Sequence, residues 1–208
     1  MTKAEIITKA QLYLDDTSEL STQEFSDLFD KVYRRITADR PWEGTKTEDS
    51  SQTTSTSVEY VALPSDFLFL TANYNYTDAS YEASRPVVFR GTNSSPYQVI
   101  SWSDRRRYRD NEGYAYVDFA NSRLYFTKQP TVAESVEFDY HAQQTALGDS
   151  DSPWFPAEYH DCLYHFMVAD DYMIQQSDKA KSYANENMAA GQKILDSMYY
   201  WNAQLIQI

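Results

Sequence analysis

The stretch Ser152-Pro153-Trp154-Phe155-Pro156-Ala157-Glu158-Tyr159-His160 opens the last third of the chain, and its reading decides the fold. Pro156 fits the first helical position, where the missing N–H is one that no helix would use, and Glu158 suits the positive end of the helix dipole. Beyond them Tyr159, Cys162, Leu163, Phe166, Ala169 and Met173 recur at helical spacing and predict one buried face. Gln176-Ser177-Asp178 breaks this helix, and Ser177 or Asp178 caps the next. The second stripe is Ala180, Ala184, Met188, Gly191, Leu195 and Met198, with small residues at 180, 184 and 191 that let the two helices approach closely. A Pro-bracketed aromatic lead-in followed by a tight antiparallel helix pair is a way to end a subunit. It does not resemble an active site.

The other end is also helical. Ile6, Ala10, Tyr13 and Leu14 predict one face of a helix over residues 2–14, broken by Asp15-Asp16-Thr17-Ser18. Ser21-Thr22-Gln23-Glu24 reads as a capping box, with Leu20 and Phe25 placed as its hydrophobic staple. Phe25, Leu28, Phe29, Val32 and Ile36 form the stripe of the helix that follows. Arg34, Arg35 and Arg40 crowd its C-terminal end, and Pro41 stops it. The segment 43–57 is Thr/Ser-rich and nearly free of apolar residues, which predicts a mobile loop.

From 58 to 142 the period switches to two. Strands are expected over 58–61, 68–76, 86–90, 97–100, 114–119, 123–127 and 136–141, with a hairpin turn at Ala120-Asn121-Ser122. Ser101 can cap a short helix through Trp102 to Tyr108. The fold class is therefore α+β: a helical bundle from two N-terminal and two C-terminal helices, with an inserted antiparallel β lobe of about five to seven strands. The organisation expected is one domain over 1–208: a helix pair at 1–42, the lobe at 58–142, a second helix pair at 152–198 and a tail at 199–208.

Composition narrows the function. A chain of 208 residues can bury a core without metals or disulfides. The single Cys162 excludes an intramolecular disulfide and fits a reducing compartment. The N-terminus carries Glu5 among its apolar residues and does not read as a signal peptide; a soluble protein without a membrane span is expected. A formal charge of −13 argues against general affinity for nucleic acid, although an acidic channel wall can let DNA slide past. Tyrosine is over-used, with 18 copies, and suits half-wet interfaces, sugar stacking or simply strand positions.

Little in the chain does chemistry. His141, His160 and His165 are the whole histidine supply, and none is paired at metal-ligand spacing. His160 and Cys162 lie two residues apart and point in nearly opposite directions on a helix. Asp170-Asp171 reads as a solvated face, and Asp149-Ser150-Asp151 lacks the glycine and distal glutamate of a calcium loop. No phosphate-cradling motif occurs, so no cofactor, no metal and no catalytic residue is expected. The one basic cluster is Arg105, Arg106, Arg107 and Arg109. It reads as a phosphate or acidic-partner contact, as a solvated face balancing Asp104 and Asp110, or as an intersubunit salt-bridge patch. The tail Tyr199 to Ile208 is strongly apolar for a chain end and is expected to be covered by a partner.

The order of parts resembles the head-to-tail adaptor, or connector, proteins of tailed bacteriophages. The likeness rests on Ala38-Asp39-Arg40-Pro41-Trp42 after the helix pair, and on Leu63-Pro64-Ser65-Asp66-Phe67 leading into the strands. It continues through the Trp/Asp/Arg/Tyr-rich segment from Ser101 to Arg109 and the Tyr-rich hairpin ending Leu124-Tyr125-Phe126-Thr127-Lys128-Gln129-Pro130. Pro156-Ala157-Glu158-Tyr159-His160-Asp161-Cys162-Leu163 and the last helix complete it. The resemblance implies a non-enzymatic virion protein at the head–tail interface. It would form a ring, commonly of twelve copies, beneath the portal, with a tail or further neck protein on its other side and DNA passing through without specific binding. It also implies that the tail docks on the portal, which by position and apolar character assigns that role to Tyr199, Tyr200, Trp201, Leu205, Ile206 and Ile208. Set against this are a carbohydrate- or receptor-binding module, another neck or tail-completion ring, and an enzyme with Cys162 as nucleophile.

Overall fold

The computed structural model describes residues 1–14, 20–71, 86–91, 96–175 and 177–206, with Ile206 described by its backbone alone. They pack into two compact units, Met1–Gly44 with Gln144–Ile208, and Thr45–Gln143. The first has the helical period, the second the period of two. The chain is α+β, with four α-helices and eight strands among the described residues.

Helix α1 (Lys3–Leu14) buries Ile6, Ile7, Ala10 and Leu14. Tyr13, expected on this stripe, is exposed. It falls at the stripe's edge by helical geometry, and its ring lies 5.3 Å from that of Tyr164. Helix α2 (Thr22–Ala38) begins at the capping box as expected. The Ser21 N–H donates to Glu24 Oε2 at 2.7 Å, and the Glu24 N–H donates back to Ser21 Oγ at 3.3 Å. The whole stripe from Phe25 to Ile36 is buried, joined by Tyr33 and Thr37.

The Pro156 reading needs correction. Ala157–Tyr159 is a single 3-10 turn with Pro156 before it in an extended conformation, and helix α3 (Asp161–Ile174) starts only afterwards. Nor does α3 have one buried face. Cys162, Leu163, Tyr164, Phe166, Met167, Val168, Ala169 and Asp171 are all buried, because α1, α2 and α4 each pack against it. A helix enclosed on three sides has no need of a polar stripe. Met173, expected inside, is 55 % exposed.

Helix α4 (Asp178–Ile206) is capped by Ser177, whose Oγ accepts the Ala180 N–H at 3.0 Å. It runs antiparallel to α3: Tyr172 meets Tyr183, His165 meets Asn187, and Tyr159 before α3 meets Trp201. Ala180, Ala184, Gly191, Leu195 and Met198 are buried, whereas Met188 is partly exposed. At Gly191 a Cβ would stand 3.0 Å from the Phe166 ring, so the bare glycine lets the two helices touch. Lys3 is held inside this unit. Lys3 Nζ lies 2.8 Å from Asp30 Oδ1 and donates to the Leu147 carbonyl at 3.2 Å, with its side chain only 4 % exposed.

The second unit contains β1 (Lys46–Thr53), β2 (Tyr60–Ala62), β3 (Phe67–Leu70), β4 (Val87–Arg90), β5 (Tyr97–Val99), β6 (Tyr114–Asp118), β7 (Arg123–Phe126) and β8 (Ser135–Ala142). They form one sheet in the order β1-β8-β4-β5-β6-β7-β2, with β3 also on β8. The two ends of the path approach each other, since a Ser55–Val58 bridge links β1 towards β2, and the sheet curls into a nearly closed barrel. The antiparallel lobe of five to seven strands is thus an approximation. The pair β5–β6 is parallel, because the 3-10 turn Trp102–Arg106 carries the chain back between them. Val61, Val88, Ala115, Leu124, Phe126, Val136, Phe138 and Tyr140 fill the interior. The turn at residues 119–122 is as expected, with Asp118 accepting from the Ala120 N–H and the Asn121 amide, and Ser122 at φ 50°.

The expected loop at 43–57 is the largest departure. It holds a 3-10 turn, Glu43–Thr45, and the eight-residue strand β1. Only Asp49 of that strand is buried, so no apolar alternation announces it. It forms because β8 offers a long partner: Lys46 pairs His141, Glu48 pairs Asp139, and Thr53 pairs Ser135 across a bulge. Thr and Ser tolerate extended backbone, and backbone pairing supplies what the side chains do not. Of the strand expected over 68–76, residues 72–76 lie outside the described set, as does the break at 15–18.

Candidate assembly surfaces

Two surfaces stand apart from the packed interiors, one on each unit. On the helical unit, α4 continues straight through residues 199–206, so the described part of the tail is helix. Tyr200 is 71 % exposed, Tyr199 44 % and Leu205 42 %. Trp201 is half-buried with its ring 5.9 Å from Tyr159, and the Arg40 guanidinium stacks 4.5 Å from the Tyr199 ring. The side chain of Ile206 and all of Ile208 lie outside the described residues.

A residue missed in the sequence fixes this surface. Asn202 is buried, its Oδ1 accepting the Glu43 N–H at 2.9 Å and its Nδ2 donating to the Pro41 carbonyl at 3.2 Å. It ties the end of α4 to the segment that leaves α2. The signal for it was its position seven residues after Leu195 and four after Met198, on the buried stripe. We expect Asn202→Ala to lower stability by about 1–3 kcal/mol, since the partly buried Glu43 N–H and Pro41 carbonyl lose their side-chain partner. Urea unfolding would measure it; an unchanged midpoint would show that the clamp is dispensable.

On the β unit, the outward positions of β2, β7 and β6 carry an aromatic ladder. Tyr60 lies 5.2 Å from Tyr125, Tyr125 stacks on Tyr116 at 5.3 Å and 3°, and Tyr116 meets Trp102 edge-on at 5.4 Å. An arginine closes each end. Arg123 sits 3.9 Å over Tyr60, and Arg105 sits 3.9 Å over Trp102. Tyr116 and Tyr125 thus turn a face to each other, and the two arginines cover a face of Tyr60 and a face of Trp102. Sugar stacking needs free faces, so this array is poorly suited to it. Beside the ladder Arg105, Arg106 and Arg109 line a pocket of about 210 Å³ with Glu59, Asp110, Tyr116, Phe126 and Thr127. Ser101 caps the preceding turn, accepting from the Asp104 N–H at 3.3 Å. Arg109 pairs loosely with Asp110 at 3.9 Å, whereas Arg106 and Arg107 make no ion pair among the described residues. The sequence showed the arginines but not the ladder, which depends on the register of β2, β7 and β6.

The groups suited to chemistry are engaged elsewhere. Cys162 is fully buried, and desolvation pushes its thiol up to about 12. Native alkylation of Cys162 should be about a hundredfold or more slower than in the unfolded chain; fast native labelling would revive the nucleophile reading. His160 Nε2 faces the Phe155 carbonyl at 2.8 Å, and burial lowers its pKa, so it stays neutral. His165 Nδ1 meets Asn187 Oδ1 at 2.9 Å, and His141 Nδ1 meets Thr45 Oγ1 at 3.1 Å. Among the described residues no cluster of three His, Cys, Asp or Glu side chains could hold a metal, and no helix is long and apolar enough to cross a membrane.

Each unit thus carries an outward-facing polar-aromatic surface. The profile of the SU10 adaptor protein family matches residues 1–207. The chain belongs to that family. It is a family of phage head-to-tail adaptors, structural proteins of the particle, in agreement with the resemblance read from the motifs. No curated protein matches this adaptor. Its family match covers both units, so the helical part and the β part of the adaptor are both family features.

Proposed function

We propose that this adaptor assembles as a ring of identical copies beneath the portal of the filled head, lengthening the DNA channel and presenting the next surface to the tail. Twelve copies is the number that the family resemblance implies. The last two turns of α4 form the portal-docking surface, through Tyr199, Tyr200, Trp201 and Leu205; the sequence alone adds Ile206 and Ile208 to it. A rigid helix end costs less entropy to dock than a loose segment would, and its exposed tyrosines combine contact area with polar tips. The single observation that carries the reading is the exposed aromatic end of α4, anchored by the buried Asn202. The formal charge of −13 fits a channel that DNA traverses without specific binding.

The test is co-sedimentation of the purified protein with DNA-filled heads that lack it, followed by electron microscopy of the portal vertex. A ring seated at that vertex is the expected result. Binding elsewhere on the particle, or to cell-surface glycans without any ring, would sink the proposal.

A further inference from the structure

Resting on that ring, we propose that neighbouring copies join barrel to barrel. The arginine-capped ladder of one β unit would receive the acidic outer face of β1 and β8 of the next copy.

The acidic face is peculiar on its own terms. Glu48 of β1 stands directly opposite Asp139 of β8, and Glu137 follows on the same outward side of β8. Like charges directly opposite destabilise an antiparallel pair. None of the three makes an ion pair among the described residues. The cation on that face of β1 is Lys46, which pairs His141 one step along the same side. The fold thus sets three carboxylates on one face with Lys46 beside them and no ion pair of theirs among the described residues. The arginine face has the opposite excess, with Arg106 and Arg107 outside any ion pair among the described residues and Arg105 held over Trp102.

Their placement fits a ring. In the sheet order β4 and β5 separate β8 from β6, so on a nearly closed barrel the acidic pair and the arginine pocket beside β6 look out on different sides, while the β2 end of the ladder approaches β1. A ring of identical copies needs two different faces on each copy, directed away from each other. Copies that each carry −13 repel at long range, and local charge of opposite sign at the contact offsets that repulsion. A phosphate backbone is the weaker occupant, because Glu59 and Asp110 share the pocket with the arginines. A protein surface bearing both carboxylates and donors satisfies all of these groups.

Charge reversal in the full-length protein tests this. Arg105→Glu with Arg106→Glu and Arg109→Glu makes both faces acidic. Glu48→Lys with Glu137→Lys and Asp139→Lys makes both faces basic. Each variant alone should need at least a tenfold higher concentration to form rings, read by native mass spectrometry or on portal-bearing heads. An equal mixture should recover assembly by alternation. A second readout uses Arg106→Cys with Glu137→Cys in one chain, where oxidation should give a ladder of multimers while buried Cys162 stays free. Wild-type rings together with reversals that change nothing would overturn the contact and leave the ring standing. Loss of DNA retention with unchanged ring assembly would overturn it in favour of phosphate. Absence of any ring, even on heads, would overturn both proposals.

Discussion

Tyr200→Glu combined with Leu205→Glu is expected to abolish attachment to DNA-filled heads while leaving a folded protein. Both side chains point away from the helical core, with Tyr200 71 % and Leu205 42 % exposed, so little packing is lost. Burying each in a partner is worth roughly 1.5–3 kcal/mol, and replacing them by carboxylates adds a desolvation penalty. The double variant should therefore weaken docking by about a hundredfold or more per copy, in the range of interface hot spots. Deleting residues 199–208 would be a poorer experiment, because it also removes buried Asn202 and confuses unfolding with loss of docking. Co-sedimentation with heads, beside a thermal melt of the free protein, checks the outcome. Full attachment by a well-folded double variant would refute the docking role of α4.

Asp30→Ala should destabilise the protein more than Asn202→Ala does, because it strands a full charge where the other strands neutral groups. Lys3 is almost completely buried, 5.3 Å from the Phe29 ring, and Asp30 is its carboxylate partner at 2.8 Å. Removing Asp30 leaves an ammonium held in an apolar corner with only the Leu147 carbonyl, a loss of about 3–5 kcal/mol by analogy with other buried pairs. The pair itself is not the source of that figure; the stranded charge is. Lys3→Met with Asp30→Leu should therefore recover most of the loss, since buried pairs can often be replaced by apolar residues. Urea unfolding of the single and double variants measures both. A single-variant loss below about 1 kcal/mol would mean that Lys3 swings out to water.

Local signals and distant ones differ in what sequence reveals of them. The Ser21–Glu24 cap and the stripe from Phe25 to Ile36 were legible because helix signals are local. The α3 pattern reads as one-sided because two of its three enclosing helices, α1 and α2, come from distant sequence. Strand β1 was invisible because its support is the backbone of β8, some ninety residues away, and its own side chains are polar. The arginine run was obvious as composition, whereas the ladder that orders Arg105 and Arg123 needed the strand register. The aromatic end of α4 was recognisable as a surface, yet Asn202, which holds it in place, looked like one more polar residue near a chain end.

The insertion of residues 45–143 between the halves of the helical unit sets the order of its biogenesis. A nascent chain emerges with α1 and α2 first, but their stripes wait for α3, which is translated more than a hundred residues later. The barrel, contiguous in the message, is complete as soon as β8 clears the ribosome, and domains generally close as units during synthesis. The order of maturation is thus the middle before the ends, and until α3 arrives Phe25, Phe29 and Ile36 are candidates for chaperone custody.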